Sequence, residues 1–569
     1  MFFSTPTNLL RPIHSLLKAP FGFSATASIS KQLRDHLHHR HDFEALLALG
    51  SLYDEIRLQV QGTLVHLRPR LETELSSVAP INANFQRACS TNFVGKTPQL
   101  LGMDGAQYLR YVSVQCQLER LYDLMELRQA GERDPLDVTE VSDAVRLLML
   151  SEALALCIAG IARVDEIDGQ FQLSPSNAIA RDALRATWFA RIADQGSHAG
   201  TLVLANDLAQ SGAVTVQDVA PLTLRILDQD LSIPWHKLTQ QGRALRSVQH
   251  VHDTAALVAL LTVTGMRDES VRMNGQCLAR YGLNFSVVSD LIRRQREALI
   301  TDQFIRLRGD TLEVRIEGAS KGLRQYFRCL ESDFGERDAL RDHIGGFFFE
   351  RTHIRQRIES GDDYKPRYRI LDGFDRYKVI DDVSNECDVE FIIHDAEQHH
   401  YYFVQIKHAL LGEKAFFNSV IEAVQKDLGK GIHQLREAKH LLEKNQLNKT
   451  LSHRGIRDAT PKNCSFVLLH NIAQFDFQCT DDGIALYDWA SFRNLLKDGE
   501  CNFGLSNGRR ELVRLPLPLV LDHPRHVIER LLNEHPAYRT IYADPWATER
   551  ATTSYSILGK TIWVNGLGI

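Results

Sequence analysis

No run in this chain approaches 18 apolar residues, so no stretch is long enough to cross a bilayer as a helix, and no membrane partner is expected. Cys-x-x-Cys is also absent. The nine cysteines lie scattered, which argues against a zinc ribbon or a disulfide frame and for buried thiols in a reducing compartment, with the cytoplasm as default. A strong charge of one sign is missing too. The 66 Lys and Arg against 71 Asp and Glu give a formal net charge of -5, which excludes a generally basic nucleic-acid coat and confines any such binding to a local surface. Acids are missing before Asp35, while Arg11, Lys18, Lys31 and Arg34 lie among serines. That composition is shared with organelle transit peptides; a polar arm leading to a first helix is the favoured reading. At 569 residues, 44% hydrophobic and 24% charged, the chain is globular and too long for one ordinary core.

Residues 1–325 read as a mainly α-helical region without a fixed-period repeat, suited to recognition or regulation, and to binding a partner protein. Val138–Ile161 is its clearest helical stretch, and Pro80, Pro98, Pro135, Pro175, Pro221 and Pro234 punctuate it. Phe93-Val94-Gly95-Lys96-Thr97 imitates the end of a phosphate-binding loop, but Ser90 stands where the first glycine belongs. His36, His38, His39, His41 and Asp42 crowd together, as do His250, His252 and Asp253. Both groups fall on helical stretches without a matching ligand set, so a solvated histidine-rich face is the better reading than a metal site.

The pattern changes at Gln303–Glu317, where alternation around Gly309-Asp310 signals a hairpin. A helix follows from about Glu336 to Ser360, ended by Gly361. Its stripe of Leu340, Ile344, Phe347, Ile354 and Ile358 also carries Glu350, an acid on the face that should meet the core. Strands are expected at about Arg367–Leu371 and Arg376–Ile380. The organising stretch is Asn385–His408, two alternating strands joined at Asp395–His400. Asp388 and Glu390 should point to one face, and Cys387, Val389, Phe391 and Ile393 to the other. With the turn centred near Glu397, Asp388 falls opposite Ile406 and beside Gln405 and Lys407, which gathers an acid, an amide and an ammonium.

Helical spacing resumes at Glu413–Leu428 and Gly431–Lys444, interrupted by Gly429 and Gly431. Between Lys407 and Lys462 eleven Lys and Arg face six Asp and Glu, a local excess of cations that suits phosphates. Cys464–His470 and Ile484–Tyr487 read as buried strands, Asp488–Gly499 as a short helix, Arg525–Asn533 as another, and Ser556–Val564 as β-like.

A helix bearing Glu350, a strand bearing Asp388, a strand bearing Gln405-Ile406-Lys407, and a helix bearing Gln434 follow one another in that order. This arrangement resembles the PD-(D/E)XK nuclease superfamily, in particular Mrr-type restriction endonuclease variants in which glutamine replaces the second acid. The likeness covers roughly residues 330–500. Cys387 stands where the name-giving proline would be, and Gln405 removes a negative charge that Glu350 or Glu390 would have to make good. The resemblance implies a mixed fold: the helical region, an α/β nuclease domain with a central mixed sheet over residues 326–510, and a C-terminal tail, 511–569, packed on it. It also implies metal-dependent hydrolysis of DNA phosphodiester bonds, in a restriction or phage-defence setting.

The chemistry supports the same roles. Magnesium or manganese would bind Asp388, the Gln405 amide oxygen, the Ile406 carbonyl and Glu350, and Lys407 would position or deprotonate the attacking water. Gln434 would steady the lysine or touch the nucleic acid, with Lys430, Arg436 and Lys439 along the same helix for DNA. Cutting two strands calls for two such sites, which a homodimer supplies. The alternative is an inactive nuclease fold that binds nucleic acid or scaffolds a complex, with Asp388 and Lys407 as a cross-strand ion pair.

Overall fold

The structure, a computed structural model, describes residues 28–60, 138–178, 203–227, 246–267, 275–285, 305–308, 311–314, 353–361, 367–375, 387–408, 417–472, 475–498, 500–506, 509–514, 523–534 and 552–565, with scattered single residues and short pieces besides. Helix α1 (Ile29–Leu37) starts where the Ser28 hydroxyl accepts the Lys31 N–H at 3.1 Å, a side-chain cap for one of the orphan donors of the first turn. In the histidine-rich stretch after it, Arg40 grips both Asp42 oxygens at 2.8 Å and donates to the Cys157 carbonyl. Asp42 is therefore committed to tying this layer to α2 (Val138–Ile158).

Directly after α2 come β1 (Ala162–Ile167) and β2 (Gln170–Pro175), paired antiparallel. Asp168 and Gly169 take φ of 53° and 74° in the turn between them, the backbone that a two-residue hairpin requires. This adds a hairpin that the mainly α-helical reading of residues 1–325 does not include. The alternation and the Asp-Gly pair are there in ARVDEIDGQFQLSP, hidden behind the apolar helix that precedes them. Farther on, α3 (Ala220–Arg225) and α4 (Arg246–Met266) enclose a separate core that includes Leu222, Leu257 and Leu261. Beside α4 stand β3 (Val271–Arg272), β4 (Ile305–Arg308) and β5 (Thr311–Val314), in the order β3-β5-β4. β4 and β5 pair antiparallel up to Arg308↔Thr311, so a hairpin stands where the alternation predicts one.

The larger sheet is built from α5 (Ile354–Ser360), β6 (Tyr368–Asp375), β7 (Asp388–Asp395), β8 (His400–Lys407), α6 (Phe417–Glu443), α7 (Asn448–His453), β9 (Cys464–His470), β10 (Gln478–Cys479), β11 (Ile484–Asp488) and α8 (Trp489–Asp498). Strand order is β10-β11-β9-β8-β7-β6. β8, β9 and β11 run parallel and the other neighbours antiparallel, a mixed sheet. β8 is buried from His400 to Ile406 because both faces are covered. On one face Tyr401 and Phe403 share a core with Leu428, Ile432 and Leu435 of α6. On the other, Tyr402, Val404 and Ile406 meet Ile354 and Ile358 of α5 and Leu495 of α8. α6 is one continuous 27-residue helix, so Gly429 and Gly431 do not divide it as expected.

A hairpin, β12 (Glu500–Ser506) with β13 (Arg509–Arg514), precedes α9 (Pro524–Glu534), which packs on β10 and β11. The last strands, β14 (Thr552–Ile557) and β15 (Lys560–Asn565), join β1 and β2 in a four-stranded sheet, β1-β2-β15-β14, with β15 parallel to β2. The segment 511–569 thus divides between the two sheets. Because α2 packs on α6, one apolar core runs from Leu147 and Leu154 to Leu435 and Phe466. Among the described residues no helix is long and apolar enough to cross a membrane. Glu336–Thr352, the expected strand at Arg376–Ile380 apart from Tyr377, and Phe93–Thr97 lie outside the described residues.

Candidate functional site

The β7–β8 ladder runs from Asp395↔His400 only as far as Phe391↔Val404. It is one residue out from the expected register, because Ala396–His399 form the turn, and a continued ladder would set Asp388 against Lys407 instead of Ile406. Past Phe391 and Val404 the strands part. β7 continues on β6 as far as Asp388↔Asp375, and β8 continues on β9 as far as Lys407↔His470, so the sheet opens into two leaves. The alternation of β7 also breaks there: Cys387 and Val389 belong to the core of Phe403, and Phe391 and Ile393 to the opposite one, although all four were expected on one face. Gly373 on β6 marks the spot. A Cβ there would lie 1.9 Å from the Val389 carbonyl, an approach of two backbones that only glycine permits.

Across this open end, α6 bridges the leaves. Gln434 Nε2 donates to Asp388 Oδ2 at 3.1 Å, and Gln405 Nε2 donates to Gln434 Oε1 at 3.1 Å and to the Asp388 carbonyl at 3.2 Å. Gln405 Oε1 accepts the Ile406 N–H at 2.7 Å. Gln405 is buried, while Asp388 and Gln434 are half-buried. Asp388 Oδ1 has no hydrogen bond to any described residue, and no ion pair joins Asp388 to Lys407. Burial pushes the neighbouring Cys387 thiol up to about 11, so it stays protonated.

Lys407 lies against the same helix. A methyl group on Gly431 would sit 3.0 Å from Lys407 Cγ, 3.2 Å from its Cε and 2.8 Å from Leu468 Cδ1. The glycine that seemed to interrupt α6 leaves the room that the lysine stem fills. In front of Asp388 opens a cleft of about 1210 Å³, lined by β6, the start of β7, Lys430 and Gln434 of α6, and Arg454 just past α7. Four cations (Arg355, Arg369, Lys430, Arg454) and four acids (Asp372, Asp375, Asp388, Glu390) line it, so its formal charges balance. Arg355 is engaged by Glu359 and Asp372 at 2.8 Å each. Arg454 donates to the Asp372 and Gly373 carbonyls, and burial lowers its pKa. Arg369 and Lys430 make no ion pair among the described residues.

Of the expected site residues, Asp388, Gln405, Lys407 and Gln434 come together at the open end, with Ile406 between two of them. Lys430 lines the cleft. Arg436 and Lys439 point elsewhere: Arg436 holds Asp482 at 2.6 Å, and Lys439 donates to the Asp482 carbonyl, fastening α6 to the β10–β11 turn. Glu350 lies outside the described residues. Arg369, Arg454 and Tyr377, which is 80% exposed at the cleft, escaped the sequence reading because nothing in their spacing ties them to Asp388.

For a hard divalent cation the donor set fits in part. The Asp388 carboxylate offers one oxygen, and the Gln405 oxygen is turned to the Ile406 N–H. Among the described residues no three His, Cys, Asp or Glu side chains converge as a cage, so a cation at Asp388 would draw on backbone oxygen and water, which magnesium accepts readily. No family model matches the chain, and no curated protein or solved structure matches it either.

Proposed function

We propose that this chain is a metal-dependent endonuclease that hydrolyses DNA phosphodiester bonds, with residues 326–510 as a PD-(D/E)XK-like domain. The observation that carries the reading is the parting of β7 and β8, which leaves Asp388 and two amides linked under α6, with Asp388 and Gln434 lining the cleft and the Lys407 stem against Gly431 of the same helix. The succession β7, β8, α6 supports it, since the resemblance places Asp388, Gln405-Ile406-Lys407 and Gln434 on a strand, a strand and a helix in that order. Asp388 would hold the cation, with the Ile406 carbonyl and Glu350 as further oxygens, and a bound Mg²⁺ or Mn²⁺ supplies Lewis-acid activation and charge neutralisation at the phosphate. Lys407, with its stem on Gly431, orients water or stabilises charge that builds on the phosphate oxygens. Lys430 and Arg369, neither in an ion pair among the described residues, meet the flanking phosphates.

The test is incubation of wild type and Lys407→Ala with supercoiled and linear DNA in magnesium, manganese or EDTA. Wild-type cleavage that EDTA and the substitution both abolish, with a loss of ~10²–10⁴-fold for the variant, is the expected result. Equal cleavage by both proteins sinks the assignment. A second reading, a nuclease fold that binds nucleic acid without cutting, is favoured by one observation, the commitment of the Gln405 oxygen to a backbone N–H. It predicts salt-sensitive DNA binding without cleavage.

A further inference from the structure

We propose that Gln405 and Gln434 form a directional amide relay, anchored on the Ile406 N–H, that holds the Asp388 carboxylate in place across the open end of the sheet. The direction follows from what stands at each end. A backbone N–H can only donate, so it takes the Gln405 oxygen (2.7 Å) and turns the Gln405 NH₂ outward. That NH₂ meets Gln434 Oε1 (3.1 Å), which turns the Gln434 NH₂ towards Asp388, and an ionised carboxylate can only accept (3.1 Å). Reversing either amide alone sets two donors or two acceptors face to face. The second hydrogen of the Gln405 NH₂ is used as well, on the Asp388 carbonyl at 3.2 Å.

The relay replaces a missing ladder. β7 and β8 share no pair beyond Phe391 and Val404; apolar packing of Cys387 and Val389 with Phe403 holds the leaves together, and among the described side chains the two amides make the polar link from Asp388 to Gln405. Two neutral amides perform this task without a cation, and the Asp388 charge is left for a ligand. Gln405 and Gln434 are therefore positioning residues, and the glutamine in the place of the second acid is a brace and not a metal ligand. The same turn of α6 serves Lys407, since Gly431, three residues before Gln434, admits its stem.

The experiment uses the full chain and Gln405→Leu, Gln434→Leu and the double variant. Backbone amide exchange is measured without DNA or metal. The relay predicts faster exchange at 387–390 and 405–407 in Gln434→Leu, with the paired segment 391–404 unchanged. Exchange that does not change at the open end overturns it. The cleavage arm rests on the nuclease reading: at saturating DNA the single-turnover rate should fall ~10²-fold, as for a misplaced reacting group, with DNA affinity unchanged. The double variant should lose no more than the worse single one, because the residues act as one unit. A loss confined to DNA affinity would make Gln434 a nucleic-acid contact and overturn the relay, as would losses that add. If the wild type cuts no DNA, the nuclease reading falls and the exchange result alone decides the relay.

Discussion

The two ends of the β7–β8 hairpin each carry an aspartate, and they are held in opposite ways. At the turn, Asp395 is fully buried and gripped by Arg367 at 2.7 Å, and it also accepts the Glu397 and Gln398 N–H groups that shape the turn. At the open end, Asp388 is half-buried and held by an amide, with no cation paired to it among the described residues. A buried carboxylate that is neutralised on the spot serves the fold, because its charge is spent. A carboxylate fixed by neutral groups keeps its charge available, which suits a ligand-binding role. One strand thus separates an acid paired to a cation from one held by an amide alone over seven residues.

Breaking each end in turn should give opposite losses. Asp395→Ala leaves the nearly closed Arg367 guanidinium with only the exposed Glu397 at 3.5 Å as an acid partner among the described residues and should cost about 3 kcal/mol in urea unfolding, whereas Asp388→Ala should cost less than about 1 kcal/mol and abolish divalent-dependent cleavage. Equal stability losses would erase the distinction.

The next largest effect concerns His470, which ends β9 opposite Lys407. Burial pushes its pKa down to about 3, and its Nδ1 accepts the Ile472 N–H. Because the folded value lies below the unfolded one near 6.5, the neutral ring contributes stability that is whole above pH 6.5 and is lost as pH falls towards 3. Replacing His470 with Phe should flatten the decline of the urea midpoint between pH 7 and pH 4; an unchanged slope would show that the ring does not titrate in this way. Asp476 works in the opposite sense, since burial and the nearby Asp488 raise its pKa.

A smaller effect is expected at Gly431. In an exposed helix Gly→Ala stabilises by roughly 1 kcal/mol. Here the methyl would press on Leu468 and Lys407, so Gly431→Ala should destabilise by about 1–3 kcal/mol and slow cleavage by moving the lysine. A rise in Tm would show that the room is not needed. The smallest effect belongs to Arg436→Ala: its pair with Asp482 is exposed, so the loss should stay under about 1 kcal/mol, with DNA binding little changed. A marked loss of binding would restore Arg436 to the nucleic-acid contacts.

Much of the hairpin was legible because it obeys local rules. Alternation and the polar Asp395–His400 turn place β7 and β8 to within a residue or so, and the apolar runs at Cys464–His470 and Ile484–Tyr487 are buried strands as their length implies. The β1–β2 hairpin carries its Asp-Gly signal equally openly, directly behind a strongly apolar helix that dominates the local pattern. The continuity of α6 through Gly429 and Gly431 was not legible. Glycine's cost in a helix is intrinsic, but the contact that offsets it lies on β8 and β9, far away in sequence.

By itself the sequence determined which residues could be chemical: Asp388, Gln405, Lys407 and Gln434, their order along the chain, and the alternating or helical segments that carry them. Periodicity and residue type are local properties, and those suffice for such a reading. Only the tertiary structure decided that β7 and β8 part after Phe391 and Val404, that α6 spans the gap, and which way each amide points. Those outcomes depend on two backbones approaching at Gly373, on side chains packed against Gly431 and on donors meeting acceptors between segments tens of residues apart, and no pattern within one segment encodes them.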